Sequence, residues 1–315
     1  LTQKAPCADD NASCRPIHPN HFESEFKRKF HARKIHRMTD HIKGKTIIVT
    51  GAASGFGKLV TEKAAAAGAN VVCADINEGP LKESVAAITA SGGKAIAQRA
   101  DVSILAEMRA LAARAVEQFG RVDVMVNNAG VMPLAFFADH EAASDKWSRC
   151  IDINIKGVLN GTISVYDQMM KQGEGHVINV SSIYGNFPVL GAGVYGATKS
   201  AVNFLSESLR VEARGKIKVT VVKPTGIPAT GLAAGIVNSE AVIGIVGQNA
   251  PQYLGAMQAL AEGTGDPEFV DQNSTENATL DPSYIADQVI YAINQPKGVS
   301  VADITMRGTG DYFIL

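Results

Sequence analysis

A glycine-rich turn set directly behind a β-branched run constrains this chain more than any other feature. Ile47-Ile48-Val49 reads as a buried strand, Thr50-Gly51-Ala52-Ala53-Ser54-Gly55-Phe56-Gly57 as a turn, and the residues after Gly55 as a helix. Glycine admits positive φ and lets main chain close on a ligand, and the free N–H groups of a helix start favour an anion. That order of elements makes a phosphate cradle. The spacing is G-x-x-x-G-x-G rather than G-x-G-x-x-G, so the turn by itself also fits a purely structural role.

From Lys45 onward, short β-branched runs alternate with helical stretches, the pattern of βαβ units and a parallel sheet. Strands are predicted at 45–50, 70–75, 94–101, 122–127, 176–181, 216–222 and 299–307. Helices are predicted at 55–67, 78–90, 105–119, 144–171, 194–214 and 282–294, the last with Asp281 as N-cap and Pro282 at its first position. At 315 residues the chain suits one α/β domain with elaborations. Folding at that size buries about three quarters of the extended chain's surface. The stretch 225–280 breaks the alternation and is too long for an ordinary connection.

Residues 1–44 read differently, as an arm carrying five of the seven histidines and much basic charge. Asn20 as N-cap and Phe22, Phe26 and Phe30 at four-residue intervals predict a short basic amphipathic helix, expected to dock on its own domain or a partner subunit rather than on a membrane or RNA. Cys7, Cys14, His18 and His21 lack zinc-ligand spacing, so no metal is expected. The formal net charge of −1 argues against a globally basic nucleic-acid binder. Without a long apolar run, a secretory signal or a dense cysteine pattern, the expectation is no membrane partner and a cytoplasmic, reducing location.

Two further positions carry chemistry. Asp75 ends the predicted strand 24 residues after Gly51, where a carboxylate accepts hydrogen bonds from an adenosine ribose and repels a 2′-phosphate. No Lys or Arg stands at Ser54, Ile76 or Asn77 to offset that repulsion, which favours NAD(H) over NADP(H); the plainer alternative is a cap for the next helix. Tyr195 and Lys199 lie four apart on one face of a predicted helix. Lowering a phenol from its usual pKa near 10 by about three units takes roughly 4 kcal/mol of preferential phenolate stabilisation, part of which a neighbouring ammonium supplies. Alone, such a pair is common on helix surfaces.

The pair, the glycine turn, Asn127-Asn128-Ala129-Gly130 and Asn179-Val180-Ser181-Ser182 together resemble the short-chain dehydrogenase/reductase family over residues 45–307. The resemblance implies an α/β fold: a single doubly wound parallel-sheet Rossmann domain of about seven strands at 45–315, with an enlarged substrate loop at 225–280, preceded by the helical arm at 1–44. It implies Tyr195 as general acid/base, with Lys199 binding the nicotinamide ribose and lowering the Tyr195 pKa. Ser182, 13 residues before Tyr195, would bond the substrate carbonyl, Ser181 being excluded by spacing. Asn154 would hold a water near the lysine. Cofactor contacts would come from Gly51, Ser54, Gly55, Phe56, Gly57, Asp75, Ile76, Asp101, Val102, Asn128, Ala129, Gly130, Tyr195, Lys199, Pro224, Ile227 and Thr230. Here Pro224-Thr225-Gly226 replaces the family's Pro-Gly, which leaves the Ile227 and Thr230 contacts open against a rigid turn.

The substrate loop is apolar, with Leu232, Ile236, Val242, Ile245, Tyr253 and Met257, and implies a bulky apolar ketone or alcohol. Within the family the pattern resembles bacterial NAD-dependent hydroxysteroid dehydrogenases, of the 20β type. The alternatives are a 3-oxoacyl reductase, a small-ketone or polyol dehydrogenase, and an NAD-binding scaffold without turnover. Family members of this kind are often homotetramers or dimers built on the helices at 144–171 and 194–214.

Overall fold

Seven parallel strands form one sheet in the order β3-β2-β1-β4-β5-β6-β7. They are β1 (Thr46–Thr50), β2 (Asn70–Asp75), β3 (Lys94–Arg99), β4 (Val124–Asn127), β5 (Gly175–Val180), β6 (Ile217–Pro224) and β7 (Asp303–Met306). The structure is a computed structural model and describes residues 40–227 and 231–314. The predicted arm helix and Thr230 lie outside the described residues.

β1, β4 and β5 are buried at every position, as strands covered on both faces are, and even His176 and Asn179 of β5 lie in the interior. Each fully buried Ile or Val contributes about 1.5–3 kcal/mol. β3, at one edge, holds only exposed and half-buried residues. The helices are α1 (Gly55–Ala66), α2 (Glu78–Ala90), α3 (Leu105–Phe119), α4 (His140–Ile151), α5 (Gly157–Gln172), α6 (Gly193–Glu212), α7 (Ala241–Val246), α8 (Ala250–Ala261) and α9 (Pro282–Ile293). On one face Val60 and Ala64 of α1 pack with Val289 and Ile293 of α9. On the other, Met108 and Leu111 of α3 pack with Val165 and Met169 of α5. A doubly wound sheet with seven strands is what the alternation predicted.

Strand order reverses between β1 and β4, and open α/β sheets bind ligands at the carboxyl ends of strands beside such a reversal. The turn 51–57 leaves β1 there and Asn128-Ala129-Gly130 leaves β4 beside it.

Some elements differ from the sequence reading. The helix expected at 144–171 starts at His140 and is interrupted by a π-helical turn, Asp152–Lys156, which carries Asn154. The strand expected to reach Asp101 stops at Arg99, because Asp101 turns the chain by accepting from Ser103 N and Oγ at 2.9 and 2.7 Å. The strand expected over 299–307 shrinks to Asp303–Met306. The loop expected at 225–280 carries its own helices, α7 and α8, whose apolar residues form a third buried cluster with Leu134, Tyr184 and Tyr195.

Candidate active site

The glycine turn is built by close approach. Gly51 and Gly55 have φ of 67° and 52°, the left-handed region that a side chain rarely adopts. A Cβ on Gly57 would sit 2.1 Å from the Gly51 carbonyl oxygen. Gly57 therefore lets α1 close on the turn and does not line the cavity, whereas Gly51, Ser54, Gly55 and Phe56 do. Ser54 caps α1 without a side-chain bond, and the first turn of α1 has no acidic residue, so its N–H groups face an anion without competition.

Thr50 ties this turn to the loop behind β4. Its Oγ1 donates to the Val126 carbonyl at 3.3 Å and accepts from Asn128 N and Ala129 N at 3.0 and 3.2 Å. Asn128 Nδ2 donates back to the Thr50 carbonyl at 2.9 Å.

Asp75 is 9% exposed at the end of β2 and accepts from Ala53 N at 3.1 Å and Asn77 N at 2.9 Å. It both steadies the glycine turn and shapes the entry to α2, while Asn77 at the N-cap makes no side-chain bond. Burial pushes the Asp101 carboxyl up, but Ser103's hydroxyl and amide, with Arg149 and Arg99 nearby, bring its net shift below the usual carboxylate range.

A cavity of about 450 Å³ runs from these residues to Ser182, Tyr195 and Lys199, and takes in Ile76, Val102, Gly130, Pro224 and Ile227. The glycine cradle, an acidic strand end and this continuous length fit a dinucleotide.

At its inner end, Tyr195 and Lys199 are 4% and 5% exposed. Lys199 Nζ lies 5.7 Å from the centroid of the Tyr195 ring and donates to the Val180 carbonyl at 2.8 Å. Burial pushes Lys199 down to about 8, with Cys150 opposing. Burial also raises the Tyr195 phenol above its ordinary value, the Ser182 side chain pulling the other way. In the protein alone, desolvation of the phenolate sets the direction at Tyr195, and the Lys199 ammonium is itself weakened by burial.

Ser182 Oγ accepts from Tyr184 N at 3.2 Å, and Ser181 Oγ donates to the Lys199 carbonyl at 3.1 Å, so the serine rejected on spacing anchors helix α6. Asn154 is fully buried behind Gly130. Its Nδ2 donates to the Val131 carbonyl at 2.9 Å and its Oδ1 accepts from Val131 N at 3.0 Å. Its side chain thereby pins the loop behind β4 to the π-helical turn. Nδ2 also reaches Thr198 Oγ1 at 3.1 Å and Cys150 Sγ at 3.2 Å. Thr198 Oγ1 donates to the Tyr195 carbonyl at 2.7 Å. Sequence reading missed Thr198 and Cys150, although each stands at helical spacing from a residue it did single out: Thr198 three after Tyr195, Cys150 four before Asn154.

A family model described as short chain dehydrogenase matches residues 45–241. The chain belongs to the short-chain dehydrogenase family. An uncharacterized oxidoreductase of Listeria monocytogenes is 35% identical over 268 residues, covering 85% of this chain and 98% of that one. A short-chain dehydrogenase/reductase of Burkholderia phymatum, solved in complex with NAD, is 29% identical, has a TM-score of 0.66 and covers 84% of this chain and 89% of its own. An alcohol dehydrogenase from the archaeon Thermococcus sibiricus, complexed with 5-hydroxy-NADP, shares the fold at 20% identity and a TM-score of 0.68, covering 85% and 97%. This short-chain dehydrogenase is an oxidoreductase of a family whose solved neighbours hold NAD or NADP.

The other wall of the dehydrogenase's cavity is apolar. Met132 and Leu134 from behind β4 face Leu232, Ile236, Val242, Ile245, Tyr253 and Met257 from the 231–261 segment. The C-terminal residues complete it: Phe313 stands 6.0 Å from Tyr253 and 6.5 Å from Tyr184, ring centre to ring centre. Phe313 was not foreseen, since the last residues carry no periodic signal. Among the described residues, no helix is long and apolar enough to cross a membrane, and no three or more His, Cys, Asp or Glu gather as for a metal.

Proposed function

We propose that this dehydrogenase uses NAD(H) to interconvert a secondary alcohol and a ketone on a bulky apolar substrate. The observation that carries the reading is that Tyr195, Ser182 and Lys199 line the same cavity as the glycine cradle. The nicotinamide, when bound, supplies or accepts the hydride. The protein's residues handle the oxygen. Tyr195, kept neutral by burial, holds a proton ready for the carbonyl oxygen in reduction and takes it back in oxidation; Ser182 hydroxyl bonds that oxygen. Gly51, Ser54, Gly55 and Phe56 would cradle the pyrophosphate, Asp101 and Val102 the adenine, and Asn128, Ala129, Gly130, Lys199, Pro224 and Ile227 the nicotinamide side.

The choice of NAD(H) rests on the Asp75 carboxylate at the end of β2, followed by the uncharged Ile76 and Asn77. The apolar wall supports a bulky substrate. Hydroxysteroids are the class that the family resemblance suggests; the named relatives speak only of oxidoreduction. A second copy of this chain is the occupant we assign to the exposed apolar faces of α4–α5 (Ile151, Leu159, Ile163) and α6 (Phe204, Val211), giving a dimer or tetramer. Cys73 and Cys150, both free thiols, suit the cytoplasm.

The test crosses NADH and NADPH with steroid ketones, acyl thioesters and small ketones. Turnover with NADH and a bulky ketone is expected. A preference for NADPH and a thioester would replace this reading with a 3-oxoacyl reductase, and nucleotide binding without any turnover would replace it with a scaffold.

A further inference from the structure

The substrate wall is apolar except at one place. Tyr184 and Thr225 line the cavity, are 5% and 4% exposed, and neither hydroxyl makes a well-formed hydrogen bond within the protein, the one lying near the other. Buried hydroxyls are rarely left unsatisfied, and such an exception calls for a ligand or another cause. The two come from different strand ends: Tyr184 follows β5 and is held by its N–H to Ser182 Oγ at 3.2 Å, while Thr225 follows β6 where the family's Pro-Gly would run.

Thr225 is the neighbouring side chain that favours the Tyr184 phenolate, against the larger effect of burial. Burial nevertheless keeps Tyr184 protonated, which makes it a neutral donor and acceptor. The nearby Asp311 carboxylate is balanced by Arg307 at 2.5 Å. The surroundings therefore suit a neutral oxygen. Phe313 rests edge-on against Tyr184 and over Gly226, where a Cβ would sit 3.0 Å from Phe313 Cε2.

We propose that the Tyr184 and Thr225 hydroxyls form a second anchor in the substrate site. The anchor binds a neutral oxygen close to the reacting carbon, so that the preferred substrate is a hydroxyketone, or the corresponding diol, on an apolar skeleton. The proposal rests on the ketone and alcohol chemistry assigned above. Tyr184 and Thr225 line the same cavity as Ser182 and Tyr195, the residues assigned to the reacting oxygen.

The experiment measures kcat/KM of the full chain with NADH for propiophenone and for its 2-hydroxy and 3-hydroxy derivatives. A parallel fluorescence titration measures NADH binding. The wild type is expected to prefer a hydroxylated ketone by about tenfold or more, and Tyr184→Phe and Thr225→Val are each expected to cut that preference about tenfold, the usual effect of losing one buried hydrogen bond. A parallel fall for all three ketones would overturn the proposal and leave Tyr184 a packing residue. A wild type that binds NADH but shows no preference, or no turnover of this set, overturns it as well. Variants that weaken NADH binding instead would give the hydroxyls to the cofactor. A wild type that binds neither NADH nor NADPH defeats the underlying assignment, a different result from any of these.

Discussion

Lys199 holds its Nζ 5.7 Å from the centre of the Tyr195 ring while donating to the Val180 carbonyl at 2.8 Å. The ammonium is thus fixed by the end of β5, and the phenol by the helix that carries both side chains. Tyr195→Phe keeps the ring and removes the proton. It should lower kcat by about 10²- to 10⁴-fold, the usual contribution of a general acid/base. Steady-state rates with any accepted ketone check this, and an unchanged kcat would end the acid/base assignment.

The same burial makes a stability prediction. With Lys199 at about 8 against an ordinary value of 10.5, the unfolded chain binds the extra proton between those pH values. The cost of burying the charge is therefore full below pH 8 and is relieved as pH rises toward 10.5. Lys199→Met should melt higher than wild type at pH 7, and the gap should close by about pH 10. Thermal melts of both proteins across that range decide it; a constant gap would mean that packing, not charge, sets the difference.

His176 gives the opposite limb. It is buried on β5 with Nε2 2.8 Å from Thr220 Oγ1, and burial, with Lys218 and Lys45 near, pushes it down to about 3. Thr220 Oγ1 donates to the Val301 carbonyl at 2.6 Å, so His176 is the donor in its bond to Thr220. The unfolded chain takes up a proton below pH 6.5 that the folded chain refuses until about 3, and stability falls across that window. His176→Gln should flatten the acid limb by about 1.4 kcal/mol per pH unit, the slope of one proton. Denaturant melts from pH 7 to 4 measure the slope directly.

Gly57→Ala places a methyl where 2.1 Å separates the built Cβ from the Gly51 carbonyl oxygen. Backbone cannot yield there as a side-chain tip would, so the turn must open. Overpacking of this kind costs about 1–3 kcal/mol. Tm should drop and NADH affinity should fall by at least tenfold in calorimetric titration; wild-type affinity would show that the turn is not the cradle.

Asp75→Ala removes the carboxylate that bonds Ala53 N and Asn77 N. NADH binding should weaken and the ratio of NADPH to NADH affinity should rise by about tenfold, equivalent to roughly 1.4 kcal/mol. Titrating both nucleotides into both proteins separates the electrostatic effect from loss of the turn, which would weaken both nucleotides equally.

The local order of elements was open to reading because it depends on near neighbours. Apolar runs such as Ile47-Ile48-Val49, glycines that only a tight turn requires, and the four-residue step from Tyr195 to Lys199 act within a few residues of each other. Spacing therefore located the strands and the sheet class, and the family resemblance carried by the motifs named many of the residues that line the cavity. Tertiary packing decided what distance in sequence conceals. It committed the Asn154 side chain to Val131, 23 positions away, and brought Phe313 against Tyr184. It also set the titration of Tyr195 and Lys199, because the charge a group can bear depends on the water removed from around it, and only the folded chain removes that water.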